Sequence, residues 1–271
     1  MSKRKILITV KTYPSISRKY DELVCTAGLD EDGNWIRIYP IPFRKLDYTK
    51  QYRKYHWIEI DLVKNQKDFR PESYRPRNID AENVLTFHGK IGTEQNWAKR
   101  KKIVLRNVYN DMTKLITEAK TEGKHTSLAT FKPTVITNFT YEPCSRDWDA
   151  KQKAFLEQQN IFDEKRNFKI VRKLPYKFRY VFKDIHGKES KLMNEDWELG
   201  ALFWKGVDKF SGDEKAACEY VKKKYWNDFA LTKDLYFYLG TTKANHWKAR
   251  NPFIIIGTFH PKKESQIKFD F

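Results

Sequence analysis

Alternation of apolar and polar residues dominates the first third of the chain. Lys5–Tyr13 sets Ile6, Ile8 and Val10 against Leu7, Thr9, Lys11 and Tyr13. Trp35–Tyr39 sets Ile36 and Ile38 against Trp35, Arg37 and Tyr39, and Tyr55–Val63 sets Ile58, Ile60 and Leu62 against Tyr55, Trp57, Glu59 and Asp61. A period of two with β-branched residues predicts half-buried strands. Between the first two, Ser15–Ala27 follows Pro14 and stops at Gly28, which predicts a short helix leading into the turn Asp30–Gly33.

An Arg- and Pro-rich stretch, Phe69–Asn78, reads as a loop. Thr93 and Asn110 then stand as caps before two helical patterns. The first has Trp97, Val104, Leu105 and Val108 on its apolar positions; the second has Met112, Leu115, Ile116 and Ala119 and ends at Gly123. Thr134–Phe139 returns to strand. Asp147 is placed to cap a helix bearing Trp148, Phe155 and Phe162. Tyr176–Lys183 predicts a strand that turns through Asp184–Gly187 into a hairpin, and Ser211–Glu214 has capping-box form ahead of Ala216, Ala217, Tyr220, Val221 and Tyr225. Leu235–Leu239 and Phe253–Phe259 close the chain as strands. Strands and helices are mixed, with hairpins rather than a strand–helix–strand rhythm. The expected class is therefore α+β, with mostly antiparallel small sheets or a partial barrel flanked by helices. The Pro143–Ser145 neighbourhood marks a boundary between parts 1–145 and 146–271.

Composition sharpens the picture. The 271 residues carry 53 Lys and Arg against 35 Asp and Glu, a formal net charge of +18, with 8 Trp, 15 Tyr and 18 Phe. That aromatic content excludes a disordered polycation. The excess is +10 over residues 1–145 and +8 over 146–271, so it belongs to both halves and not to an appended arm. Three widely spaced cysteines, Cys25, Cys144 and Cys218, argue against a disulfide scaffold and for a reducing compartment. No apolar run reaches the roughly 18 residues of a membrane helix. The expectation is a cytoplasmic protein whose partner is nucleic acid, DNA favoured over RNA, with no membrane and no cofactor.

The face opposite the isoleucines carries the candidate chemistry. Tyr13, Trp35, Arg37, Tyr39 and Trp57 offer rings that stack on bases and a guanidinium that reads a base edge. Glu59 and Asp61 add carboxylates on the same face. The competing reading is that later elements cover this face and that its rings are interlayer packing. In Asn194–Glu198, Asp196 and Glu198 invite a general acid–base or sugar-stabilising role. The alternative is helix capping by Asn194, with Trp197, Ala201 and Trp204 as a buried stripe.

Phosphate contacts are expected from Arg70, Arg75 and Arg77, from Lys99, Arg100, Lys101 and Lys102, and from Lys177 and Arg179 on the strand whose other face is aromatic. The loop Thr241–Pro252 presents His246, Trp247 and Arg250 as a wedge. The chain has no GxGxxG, Walker loop, HExxH, or zinc-deaminase signature, and no metal ligand set is expected. These residues support a protein that engages an unstacked or modified base in an aromatic–acidic pocket inside a basic groove. A metal-independent DNA glycosylase that uses a carboxylate is the enzymatic alternative, and a charge-driven RNA or RNP structural protein is the third.

Overall fold

The computed structural model describes residues 3–17, 21–41, 43, 46, 51–78, 85–149 and 171–264. The fold is α+β, as the patterning predicts. Five strands close into a small barrel: β1 (Lys3–Lys11), β4 (Thr26–Leu29), β5 (Trp35–Ile38), β7 (Ser73–Pro76) and β6 (His56–Lys64), with β6 pairing back onto β1. Strand β8 (Leu85–Lys90) attaches to the outside of β6, and β2 (Ser15–Ser17) and β3 (Asp21–Leu23) form a separate small hairpin. The predicted isoleucines fill the barrel: Ile6, Ile8, Ile36, Ile38, Ile58, Ile60 and Leu62 are all at most 2% exposed.

Two features differ from the alternation. Where a helix is expected over Ser15–Ala27, the described residues form β2, β3 and the start of β4, and the Phe69–Asn78 loop contains β7, which runs parallel to β5 and completes the ring. Closure supplies hydrogen-bond partners that a short isolated strand lacks, and this outweighs local turn chemistry. A bulge between Ile8 and Val10 on β1 also inverts the inside–outside parity. Val10 therefore leaves the barrel interior for the outer layer with Leu7. Lys11 turns the other way, with its ammonium 4.4 Å from the Phe43 ring centroid.

The remainder builds around two sheets. One has the order β15 (Phe253–Phe259), β14 (Tyr236–Thr241), β10 (Leu128–Phe131), β9 (Val108–Tyr109); the other is β11 (Val135–Pro143), β12 (Tyr176–Lys183), β13 (Glu189–Met193). On β12 the predicted division holds: Phe178, Tyr180 and Phe182 are buried, with Lys177 and Arg179 on the opposite face. Helices α1 (Glu94–Val104), α2 (Met112–Lys120), α3 (Trp197–Lys209) and α4 (Glu214–Lys222) flank the sheets, and α4 runs on as a π-helical stretch, Lys223–Ala230. The caps shift from the expected residues. Asp111, Asp196 and Asp213 accept from the backbone N–H of Lys114, Glu198 and Ala216, in place of Asn110, Asn194 and Ser211. Thr93 makes no side-chain cap, because Gln95, Asn96 and Trp97 hold positive φ in the first turn of α1. Trp148 donates its indole N–H to Val171 O at 2.8 Å, while Phe155 and Phe162 of the helix expected there lie outside the described residues.

The barrel docks its outer face on the second sheet. Leu7, Val10, Ala27, Leu29 and Tyr55 pack with Val104, Leu128, Tyr238, Ile256 and Phe259 in one buried layer. Barrel closure leaves no space at Gly28, paired with Ile8, where a Cβ would stand 2.2 Å from the Leu7 carbonyl oxygen. Gly28→Ala is expected to lower unfolding free energy by about 1–3 kcal/mol, as overpacking does, and denaturant titration reads that loss directly.

Candidate functional site

Where the barrel meets the second sheet, a cleft of about 560 Å³ opens. One wall is the turn Gly33–Asn34–Trp35 with Glu72; the other is Arg106–Asp111 with Lys114, and Leu128 and Ala129 form the floor. The turn is shaped by Asp30, whose carboxylate accepts from Asn34 N at 2.8 Å and Asn34 Nδ2 at 3.1 Å. Gly33 has φ 84°, and the stem of Arg106 lies across it, with Arg106 Cδ 2.9 Å from where a Cβ would be. Trp35 is half-buried and held edge-on by Tyr238, ring centroids 5.5 Å apart. Across the cleft, the Tyr109 hydroxyl donates to Glu118 at 2.6 Å. Arg106 donates to the Glu31 and Lys102 carbonyls, and among the described residues no carboxylate pairs with its charge.

The walls are joined by a buried polar relay. Arg37, 2% exposed, donates to Ser127 Oγ at 2.7 Å, Ser127 O at 3.0 Å and Ser73 Oγ at 3.1 Å. Ser127 in turn donates its hydroxyl to Glu72 at 2.7 Å and its backbone N–H to the other Glu72 oxygen at 3.0 Å. Burial, and then the neighbouring Arg70, press the Arg37 pKa below its ordinary value, with Glu72 and Asp68 opposing. Arg37 was expected to read a base edge, but its donors are bound inside the protein.

At the far end of the same interface a second charged cluster forms. The Lys54 ammonium donates to both Asp196 oxygens at 2.7 and 2.8 Å and to Glu198 at 3.1 Å. Asp196 is fully buried, while the Glu198 side chain is 57% exposed. Burial works against the Lys54 charge, yet the two carboxylates outweigh it and hold the ammonium above its ordinary pKa. Burial also disfavours the Glu198 anion, and Lys54, His260 and Lys11 together bring its pKa below the ordinary value. Lys11 falls to about 8 through burial and then Lys54. His260 falls to about 3, again through burial first and Lys54 second; its ring stacks on Phe229 at 3.8 Å.

Of the four expected catalytic carboxylates, Asp196 and Glu198 come together. Glu59 and Asp61 do not join them. They lie about 10 and 17 Å along β6 from its first residue at ~3.3 Å per residue, paired with Lys3 and His88 and with Arg77 respectively. Of the expected base-binding residues, only Trp35 lines the cleft. Trp57 is half-buried in the layer behind it, beneath the Lys5 ammonium. Tyr13 lies against α3 so tightly that a Cβ at Gly200 would be 2.1 Å from its ring, and its hydroxyl bonds Trp204 Nε1 and Arg172 O. Tyr39 is exposed.

The phosphate candidates divide. Arg70 and Arg100 are buried: Arg70 is bound to Asp68, and Arg100 lies 3.7 Å above the Tyr55 ring and donates to Ile91 O. Their guanidinium groups hold the fold, a correction of the expected surface role. Lys101 and Arg179 pair with Glu264 and Glu142, and Arg77 with Asp61. Arg75, Lys99, Lys102 and Lys177 are exposed. In the wedge loop, His246 is wholly buried, a correction of its expected wedge role, whereas Trp247 and Arg250 are exposed. Lys54, Glu72, Arg106, Asn107, Tyr109, Asn110 and Lys114 had no signal in spacing. The Asn34, Asn107 and Asn110 amides at chain turns were the nearest one.

Two outcomes follow from the Lys54 cluster. Lys54→Met strands a buried carboxylate and is expected to cost about 3–5 kcal/mol by denaturant titration, with Lys54→Met/Asp196→Leu recovering much of it. His260 binds its proton more weakly folded than unfolded, so stability is complete above the unfolded pKa near 6.5 and falls as pH drops towards about 3. His260→Asn should lose less thermal stability than the parent protein between pH 6.5 and 4.

Residues 2–106 match a domain of unknown function, DUF8758, and residues 108–270 match a second, DUF8757. No curated protein matches the chain. The two matches meet at the cleft, whose walls come from both. Because residues 108–270 make up more than half of its length, the chain belongs to the family described as domain of unknown function DUF8757.

Proposed function

We propose that the chain binds nucleic acid through its basic surface and receives one unstacked base in the cleft between the barrel and the second sheet. The observation that carries this reading is the composition of the cleft. Trp35 and Tyr109 supply rings, Asn34, Asn107 and Asn110 supply amides, and Arg106 and Lys114 supply cations, all around a volume of about 560 Å³. Amides satisfy paired donor and acceptor atoms on a base edge, and cations at the rim suit the attached phosphates. Stacking of a base on an aromatic ring contributes about 1–3 kcal/mol, of the order of the few kcal/mol that unstacking requires. The net charge of +18 supplies the non-specific part of the affinity.

Base excision by a carboxylate draws less support. Asp196 is enclosed and bound to Lys54, and Glu59 and Asp61 are held by their own partners away from it. The reading is therefore one of recognition, with Glu198 the one carboxylate of the cluster that meets solvent.

Anisotropy titrations with DNA and RNA strands of differing base, plain and modified, test it. Trp35→Ala and Asn107→Ala should flatten the preference among bases while leaving the salt slope in place. Arg106→Ala and Lys114→Ala should lower affinity for all bases, each reducing the slope of log K against log salt by about 1. A base preference unchanged in Trp35→Ala and Asn107→Ala would contradict the proposal and leave a charge-only binder.

A further inference from the structure

Beyond the cleft, a group of aromatic rings stands at the other end of α2. Phe69, 38% exposed, and Trp247, 47% exposed, meet at 5.5 Å with 31° between their planes. Among the described residues they are the two exposed aromatic side chains whose rings contact each other. His125 stands edge-on to both, at 5.7 and 5.2 Å. It holds φ 47°, a conformation that a non-glycine residue rarely adopts, and its Nδ1 has no hydrogen-bond partner.

Exposed rings in contact with each other are an apolar patch that a soluble surface usually buries. Here the layer beneath them is fixed by hydrogen bonds. His246 beneath them is wholly buried and bound at both ring nitrogens, to Thr241 Oγ1 at 2.8 Å and Ala119 O at 2.7 Å. Arg70 fastens the Thr241 carbonyl, and Thr241 N donates to Ser127 O at 3.0 Å. That serine is the one that bonds Glu72 in the cleft wall. A continuous hydrogen-bonded path thus fixes the patch relative to the cleft.

The surroundings of the patch are basic. Lys67, Lys124, Lys243, Lys248 and Arg250 are all exposed on the three segments that supply the rings. The nearby acids are largely engaged: Asp68 with Arg70, and Glu118 with Tyr109 and, at 3.8 Å, Lys124; Glu122 is exposed. Rings with a surplus of cations fit a polyanion that carries flat apolar groups, which is the chemistry of a single nucleic-acid strand. A protein partner for an apolar patch would not call for that charge.

We infer that Phe69, His125 and Trp247 form a second stacking platform for the strand that runs on from the base held in the cleft. The inference rests on the nucleic-acid reading above. Helix α2 has nine residues, about 13 Å at 1.5 Å per residue, and it runs from the cleft, which its cap Asp111 and first-turn Lys114 line, towards the patch beyond its C-terminal end. That distance is about four base steps at the ~3.4 Å rise of a stacked strand. Strands of two nucleotides reach the cleft alone; strands of eight reach both sites.

The experiment measures affinity of the full chain for single strands of two and of eight nucleotides, of each base in turn. Trp247→Ala should weaken the eight-nucleotide strands about tenfold, within the range of one lost stack, and leave the two-nucleotide affinities and base preference as they were. Trp247→Phe should restore most of the loss. Trp35→Ala should do the reverse, removing base preference while the advantage of length remains. If Trp247→Ala and Phe69→Ala both leave the long strands unaffected while Trp35→Ala abolishes preference, the platform is overturned and the cleft reading stands. If Trp247→Ala weakens long strands and Trp35→Ala changes nothing, the rings bind the strand on their own, and the cleft reading falls together with the continuity between the two sites. A parent protein that binds neither length overturns both.

Discussion

Arg37 is a positive charge buried where the barrel meets the second sheet, and much of the architecture follows from where its counter-charge lies. Among the described residues its hydrogen bonds go to Ser73 and Ser127, and compensation passes through the Ser127 hydroxyl to Glu72. Neither Arg37 nor Glu72 can be satisfied by the barrel alone, because Ser127 belongs to the segment that opens β10 of the second sheet. An unpaired buried guanidinium costs several kcal/mol, so the two halves must dock in the register that completes this relay. Glu72 also faces the cleft. The electrostatic requirement of the interface and the shape of the proposed binding site are thus one constraint, and the site is formed before any ligand arrives.

A second charged pin, Lys54 with Asp196, holds the opposite end. Asp196 is at once a counter-ion to the barrel's Lys54, the cap of α3 and a bridge partner of Thr12 on the end of β1. Between the pins lies an apolar layer with Leu7, Leu29, Tyr238, Ile256 and Phe259. Hydrophobic area supplies most of the docking energy but tolerates sliding; buried ion pairs supply little net energy but penalise misregistry. This division explains why Asp196, one of the four carboxylates expected to be catalytic, is bound into the structure.

Much of the fold was legible in the sequence. Tyr176–Lys183 and Phe253–Phe259 match their strands residue for residue, and the barrel isoleucines were identified by alternation alone. What escaped depends on non-local closure. Strand β7 is four residues within an Arg–Pro segment and exists because β5 and β6 flank it. The bulge that reverses Val10 and Lys11 arises from pairing with β4, which no single-strand pattern reports. The basic residues show the same limit. Arg70 and Arg100 resemble their exposed neighbours in sequence, and only the placement of Asp68, Thr241 O and the Tyr55 ring decides that they are internal. The expected aromatic face separates in three dimensions: Trp35 and Trp57 lie in the layer against the second sheet, Tyr13 packs on α3 and Tyr39 is exposed, which leaves Trp35 as the one of these rings that lines the cleft.

The central claim is that a base enters between Trp35 and Tyr109. Photocrosslinking with a strand carrying one photoreactive base, followed by mass spectrometry of the adducts, tests it most directly. The account predicts adducts on Trp35, Tyr109 or the Asn107–Asn110 segment, lost when an unlabelled strand competes. Adducts confined to exposed lysines such as Lys99, Lys102 and Lys177, with none in the cleft, would contradict it.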